Sequence, residues 1–383
     1  MAISRQHVTA FIIDNSLLLP IGTVAALIWA NSAYASYEPF AHSLHFAVND
    51  VGMAFFFAVA AKEIAQATAP GGALHPMRRA TAPIVAAVGG MAVPAAVYLS
   101  LVSAMGLPAL SPGWAISSAT DIAFSFLVAR FLFGASHPAI PFLLLLAIAD
   151  DALGLIVLAL FYPAGAVRPF EFVLFLSLAM GVCWAFHRRR VLTFWPYVLI
   201  GGAISWFAFY RGGLHPSLAL VPIVPFVPHT ARDAGLFEED PGEECDPLTQ
   251  FERAVRVPVQ VVLLLFGLAN AGVPLSQIGP GTWIVTAALL AGKPIGIVAV
   301  TLAGRGLGLH LPSGVTWRDV IVVGCVAGIG FTVALFFCTA TFPSGDLLDQ
   351  TRMGALFSFS AALVAGAAAF LLRVGRFGRD HER

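Results

Sequence analysis

Charge is what this sequence has least of. Lys, Arg, Asp and Glu make up 11% of its 383 residues and cancel to a formal net charge of zero, against roughly 25% charged residues in soluble domains. That removes the electrostatic footprint expected of a nucleic-acid-binding protein. With 58% hydrophobic residues, it also overrules the about two or three soluble domains that length alone suggests. Cysteine is scarce: Cys183, Cys325 and Cys338 lie in apolar runs and Cys245 in a polar loop, with no Cys-x-x-Cys spacing. Neither a disulfide framework nor a zinc site is favoured. His42 and His45 have an i, i+3 spacing, but no third metal ligand stands near them. Nor does Met1-Ala-Ile-Ser-Arg5 open a cleavable leader, so the first helix is expected to stay in the mature protein. What remains is an all-α polytopic membrane protein with a single membrane domain over residues 1–383.

Apolar runs of about 17–25 residues between polar breaks give about twelve spans. They fall near 11–31, 44–66, 80–105, 113–133, 140–162, 170–187, 191–210, 213–228, 255–273, 281–303, 319–340 and 351–373. The one long polar break, Thr230 to Arg253, carries Glu238-Glu239-Asp240 and Glu243-Glu244. It reads as a solvated cytoplasmic connector over 229–253. With both termini inside, only Arg168, Arg211 and Arg352 among the arginines fall outside, as the positive-inside rule requires.

Against that background the intramembrane charges stand out. Asp150 and Asp151 sit in the middle of a run from Phe142 to Leu160 that is long enough to cross a bilayer. An ionised carboxylate at that depth costs a few kcal/mol or more, so it faces a partner or a wet cavity. The bland alternative is an ion pair locking two helices, which needs only one acid. Of the 21 basic residues two are lysines, Lys62 and Lys293, and both lie inside apolar spans. A buried amine can give up its proton, whereas a guanidinium effectively cannot. Lys62, followed by Glu63 near the end of its span, is expected to snorkel with a local ion pair. Two spans also look interrupted, one at Ser117-Ser-Ala-Thr120-Asp121 and the other at Ala327-Gly328-Ile-Gly330-Phe-Thr332. Unwound backbone at membrane depth must be buried in protein or line a cavity. Paired breaks of this kind point to a transporter's binding site. Asp121 and Lys293 would offset the partial charges of the helix ends. Small residues packing helix against helix would explain Gly328 and Gly330 but not Asp121.

These residues fall in a series of motifs that resembles the bacterial NhaA-type sodium/proton antiporters. In order they are Asn49-Asp50-Val-Gly-Met-Ala-Phe-Phe-Phe57, Ala119-Thr120-Asp121-Ile-Ala-Phe124, Ala149-Asp150-Asp151-Ala-Leu-Gly154 and Leu214-His215-Pro-Ser-Leu-Ala219. Leu268-Ala-Asn270-Ala-Gly272, Gly292-Lys293-Pro-Ile-Gly296 and Gly328-Ile-Gly-Phe-Thr332 follow. Each is a modest signal; seven in order along nearly the whole chain are specific. The family is itself a standing example of inverted repeats. The resemblance implies twelve helices, helices 3–5 and 10–12 as inverted repeats, and helices 4 and 11 broken and crossing.

Carried onto this sequence, the resemblance makes Asp150 and Asp151 the ion-binding and proton-carrying pair. Asp151 is then the candidate for direct contact with sodium, and Asp150 the acid paired with Lys293. Asp121 and Thr120, with Thr332, Gly328 and Gly330 at the other break, would support the site. His215 matches a histidine linked to pH response, and Glu63 is the remaining acid at the end of helix 2. Two departures stand out. Ala60-Ala61-Lys62-Glu63-Ile64-Ala65-Gln66 replaces a Gly-Leu-Glu-x-Lys-Arg-Glu pattern, so most of the charged cluster tied to pH sensing is missing. Only a short stretch, Asn31 to His45, expected as a short external loop, separates helix 1 from the Asn49-Asp50 motif, where the family commonly inserts a longer segment with a β-hairpin used in a homodimer.

The expected activity is electrogenic exchange of cytoplasmic sodium or lithium for external protons by alternating access, with no cofactor. Lipid is the surrounding partner, and the location is the bacterial inner membrane. Burial and a neighbouring cation act on a carboxylate in opposite senses, and sodium and protons are expected to compete for the same negative charge. Two rivals remain open. One is a transporter of the same fold carrying potassium or another solute, although an anion site would not call for two acids. The other is an intramembrane aspartyl protease built on Asp121 and Asp151, although its Gly-x-Gly-Asp pattern is absent, since Phe331 follows Gly328-Ile-Gly330.

Overall fold

The computed structural model describes residues 17–74, 77–228, 246–306 and 308–378. Among them every regular element is helical and no strand occurs. In chain order the helices are α1 (Leu18–Ser32), α2 (Tyr34–His45), α3 (Met53–Thr68), α4 (Met77–Ala104), α5 (Ile122–Phe133) and α6 (Ala139–Phe161). Then come α7 (Pro169–Arg188), α8 (Gly202–Gly212), α9 (Pro247–Asn270), α10 (Pro280–Ala287) and α11 (Lys293–Gly306). Last are α12 (Trp317–Ala327), α13 (Phe331–Thr341), α14 (Asp346–Phe357) and α15 (Ala361–Leu372). Six continuous helical stretches among the described residues are long and apolar enough to cross a membrane, and two bent pairs raise the number to eight. The bent pairs are Pro108–Ser118 with α5, at 55°, and α12 with α13, at 47°. The protein is an all-helical polytopic membrane protein.

Three sequence expectations need correction. The span at 213–228 is not a regular helix: Pro216–Leu218 and Val224–Phe226 are single 3-10 turns. Pro216, Pro222, Pro225 and Pro228 each lack the N–H that a helix needs, which a hydropathy count does not register. The connector at 229–253 ends early. Asp246 accepts the Thr249 N–H at 2.7 Å and Pro247 takes the first helical position; both are strong helix starters. Residues 247–253 are therefore the first turns of α9, with Leu248 and Phe251 buried. Residues 229–245, with the acidic run and Cys245, lie outside the described residues, as do 11–16 of the first expected span. The stretch from Asn31 to His45, expected as a short loop, is largely helix: α2 runs through a wide π turn at Phe46–Gly52 straight into α3.

The chain divides into two compact units. The first comprises Met1–Pro76 and Leu155–Gly272. In it α1 lies on α9 so closely that a Cβ on Gly267 would stand 2.7 Å from the Leu19 carbonyl oxygen. Asn49 and Asn270 exchange side-chain hydrogen bonds of 3.1 and 2.9 Å, so each buried amide satisfies the other.

The second unit, Met77–Gly154 with Val273–Arg383, repeats one plan: a long helix, a broken pair, then another helix. The first triplet is α4, Pro108–Ser118 with α5, and α6. The second is α10–α11, α12 with α13, and α14–α15. Their long helices meet through glycine. A Cβ on Gly89 would come 2.6 Å from Val300 Cβ, and one on Gly292 would come 2.8 Å from Pro94 Cα. Small residues are what let membrane helices approach this closely.

Candidate ion-binding site

The two breaks meet inside the second unit. Ser118 ends a 3-10 helix and Asp121 caps the start of α5; between them the chain is non-helical, with Ala119 and Asp121 extended. Thr120 Oγ1 donates to the Ala327 carbonyl at 3.1 Å, the Asp121 N–H to Ile329 O at 2.7 Å, and Ser125 Oγ to Val326 O at 3.1 Å. The fourth span thus supplies donors to carbonyls at and just beyond the C-terminal end of α12. Gly330 is needed for the close approach, since a Cβ there would stand 3.0 Å from the Ala119 carbonyl oxygen.

Asp121 serves both helix starts at once. Its Oδ1 accepts the Phe124 N–H at 3.3 Å, capping α5. Its Oδ2 accepts the Thr332 N–H at 3.1 Å and the Thr332 hydroxyl, at the first turn of α13. A carboxylate between two helix N-termini offsets two positive dipole ends. With both oxygens engaged in this way, Asp121 is not laid out as half of a protease dyad.

Lys293 completes the electrostatics from the other side. A π-helical turn at Ala288–Gly292 delivers it into the unit, where it is fully buried. Its Nζ donates to the Ser118 carbonyl, at the negative end of the first half-helix. It also donates to Asp150 Oδ2 at 2.8 Å. Asp150 is 2% exposed, and its Oδ1 has no hydrogen-bond partner. A buried carboxylate oxygen left in that state is costly. Asp151, one residue on and half-buried, also acts electrostatically on Lys293.

Seven of the residues singled out in the sequence, Thr120, Asp121, Asp150, Lys293, Gly328, Gly330 and Thr332, therefore gather in this unit with Asp151. His215 and Glu63 belong to the first unit. His215 Nδ1 stands 2.8 Å from the Ser217 hydroxyl and 3.9 Å from Asp50 Oδ1. Glu63 pairs with Lys62 at 3.0 Å, but Lys62 does not snorkel: it is 6% exposed and has a second acid, Glu252, at 2.6 Å. Sequence reasoning missed Glu252, Ser125 and the Ser118 carbonyl. Glu252 and Ser125 reach their partners across about 190 and 201 residues of chain, a separation over which local pattern carries no signal.

The profile of the family described as Na+/H+ antiporter 1 matches residues 8–371. A Pelobacter propionicus protein named Na(+)/H(+) antiporter NhaA 2 is 46% identical over 371 residues, covering 94% of this chain and 97% of that protein. The Na(+)/H(+) antiporter NhaA of Geotalea uraniireducens is 46% identical over 377 residues, covering 96% and 97%. Among solved structures, the sodium proton antiporter MjNhaP1 from Methanocaldococcus jannaschii superposes with a TM-score of 0.57 at 14% identity, covering 95% of this chain and 92% of that one. That likeness speaks for the fold. With a profile match over nearly its whole length and relatives of this identity, the chain belongs to the Na+/H+ antiporter 1 family.

Proposed function

We propose that this protein exchanges cytoplasmic sodium or lithium for external protons by alternating access, in the bacterial inner membrane with both termini cytoplasmic. One observation carries the reading: the buried Lys293–Asp150 pair with Asp150 Oδ1 unpartnered and Asp151 alongside. Sodium prefers hard oxygen ligands, which carboxylates supply. A cation drawn to Asp151 and Asp150 competes with the Lys293 ammonium for the same negative charge. Lysine suits this competition because it can release its proton and still hydrogen-bond the Ser118 carbonyl, which arginine could not do. Sodium and protons therefore exclude each other at one site, and alternating access turns exclusion into exchange.

Asp150, Asp151 and Lys293 are enough titratable groups for two protons per sodium, which moves one net charge inward per cycle. At about 2.3 kcal/mol per charge per 100 mV, a membrane potential of about 180 mV contributes about 4 kcal/mol. That sustains a sodium gradient of roughly a thousandfold.

The test is proton movement in everted vesicles on addition of sodium, lithium or potassium. Sodium- or lithium-driven movement that disappears in Asp151→Asn, at equal expression, is the expected result. Movement that persists in that variant, or none with any cation in the wild type, removes the reading.

A further inference from the structure

Asp150 lies 29 residues beyond Asp121, the N-cap of α5; the same count from Gly330, the N-cap of α13, reaches Phe359, next to Ser358. Helix α14 ends at Phe357 and α15 begins at Ala361, joined by the 3-10 turn Ser358–Ser360. Before the turn, the last span holds α10: Gln350 Oε1 accepts the Gly281 N–H at 2.9 Å, and Thr282 Oγ1 donates to Gln350 O at 3.0 Å. After it, α15 packs on α12, and a Cβ on Gly328 would lie 3.5 Å from that of Ala361. The last span changes neighbours at the level of the break.

Two side chains of the turn reach that break. Ser358 is fully buried; its Oγ donates to Ala355 O at 2.6 Å and accepts the Gly330 N–H at 3.3 Å. Gly330 is the N-cap of α13, and N–H groups at a helix start have no partner within the helix. At membrane depth no bulk water replaces one. The Phe359 ring lies 4.4 Å from that of Phe331 and 5.1 Å from that of Phe124, centroid to centroid. Phe331 and Phe124 are first-turn residues of the two half-helices that Asp121 caps.

We propose that Ser358 and Phe359 are positioning residues for ion binding. By holding the start of α13 they keep Thr332 on Asp121, and so keep the crossing in place beside Asp150 and Lys293. The proposal rests on the antiport reading and adds the last span to the machinery of the site.

The experiment compares wild type, S358A, S358T, F359L and S360A in vesicles, resolving half-saturating sodium from maximal rate. Ser360 is the control, because its hydroxyl donates at 2.7 Å to Phe357 O within its own span. S358A should raise half-saturating sodium about tenfold, the effect of one buried hydrogen bond, with the maximal rate little changed. S358T, which keeps the hydroxyl, should recover most of the loss. F359L should fall between S358A and wild type, and S360A should match wild type. A loss of yield or maximal rate with half-saturating sodium unmoved, or an equal shift in S360A, overturns the proposal. Hydrogen–deuterium exchange of residues 326–333 is read on the same variants and does not depend on transport. Exchange there should be faster in S358A than in S360A; equal exchange overturns the proposal whatever the vesicles show. Inactive wild-type vesicles with the exchange difference intact would remove the antiport reading and leave the positioning of the crossing standing.

Discussion

The two triplets of the second unit share a plan and differ in what their third helix brings to the crossing. In the first, α6 presents Asp150 and Asp151, and Asp150 meets a lysine. In the second, the turn between α14 and α15 presents a serine hydroxyl to a backbone N–H and a phenylalanine ring to two others. One triplet brings charge to the crossing and the other brings frame. On the proposed reading, the triplet that would bind the ion does not also have to brace the crossing.

Substitutions at corresponding places should separate the two roles. The largest effect is expected at Asp150. Replacing it with Leu strands the Lys293 ammonium in a fully buried position and should cost about 3–5 kcal/mol, read as thermal unfolding in detergent. Adding Lys293→Leu should recover much of that stability without restoring transport. A double variant no more stable than the single one would mean that the pair is not the source of the loss.

Next comes the residue the two breaks share. Asp121→Ala leaves the Phe124 N–H and both Thr332 donors without their acceptor, at about 2–4 kcal/mol of stability. The same unfolding measurement checks it. A cost below that of a single hydrogen bond would show that the crossing is held chiefly by packing.

The smallest effect compares two glycines on helices that carry site residues. Gly296→Ala drives a methyl against the Gly89 carbonyl and Val93 Cβ, and should cost about 1–3 kcal/mol. Gly154→Ala, three residues from Asp151, meets nothing within 4 Å and should stay within about 0.5 kcal/mol of wild type. Equal effects at the two positions would break the distinction between a closely packed seam and an open helix face.

The charged part of the site was legible because lipid makes charge expensive. Asp121, Asp150, Asp151 and Lys293 each contradict an apolar surrounding, and such contradictions can be read from one sequence. Gly328, Gly330 and Thr332 were legible as a break for the same kind of reason. Ser358 was not. A serine inside an apolar helix ordinarily donates to a carbonyl three or four residues back, and Ser358 does so with Ala355; only its acceptor side reveals a second task. The irregular stretch at 213–228 was misread because apolarity was counted and missing N–H donors were not. Glu252 escaped notice because it stands in a polar stretch where an acid is unremarkable until α9 brings it to Lys62.

The glycine contact between α4 and α11 has a mechanical consequence. Where Gly89 meets Gly296, main chain lies on main chain with no intervening side chain to bend or rotate. A joint without soft material transmits displacement instead of absorbing it. Lys293 rides on one side of that joint, so the lysine and both long helices behave as one stiff strut. The helices of this unit are interrupted instead at the short non-helical links Ala119–Asp121 and Ile329–Gly330, so those few residues are where a displacement would be taken up.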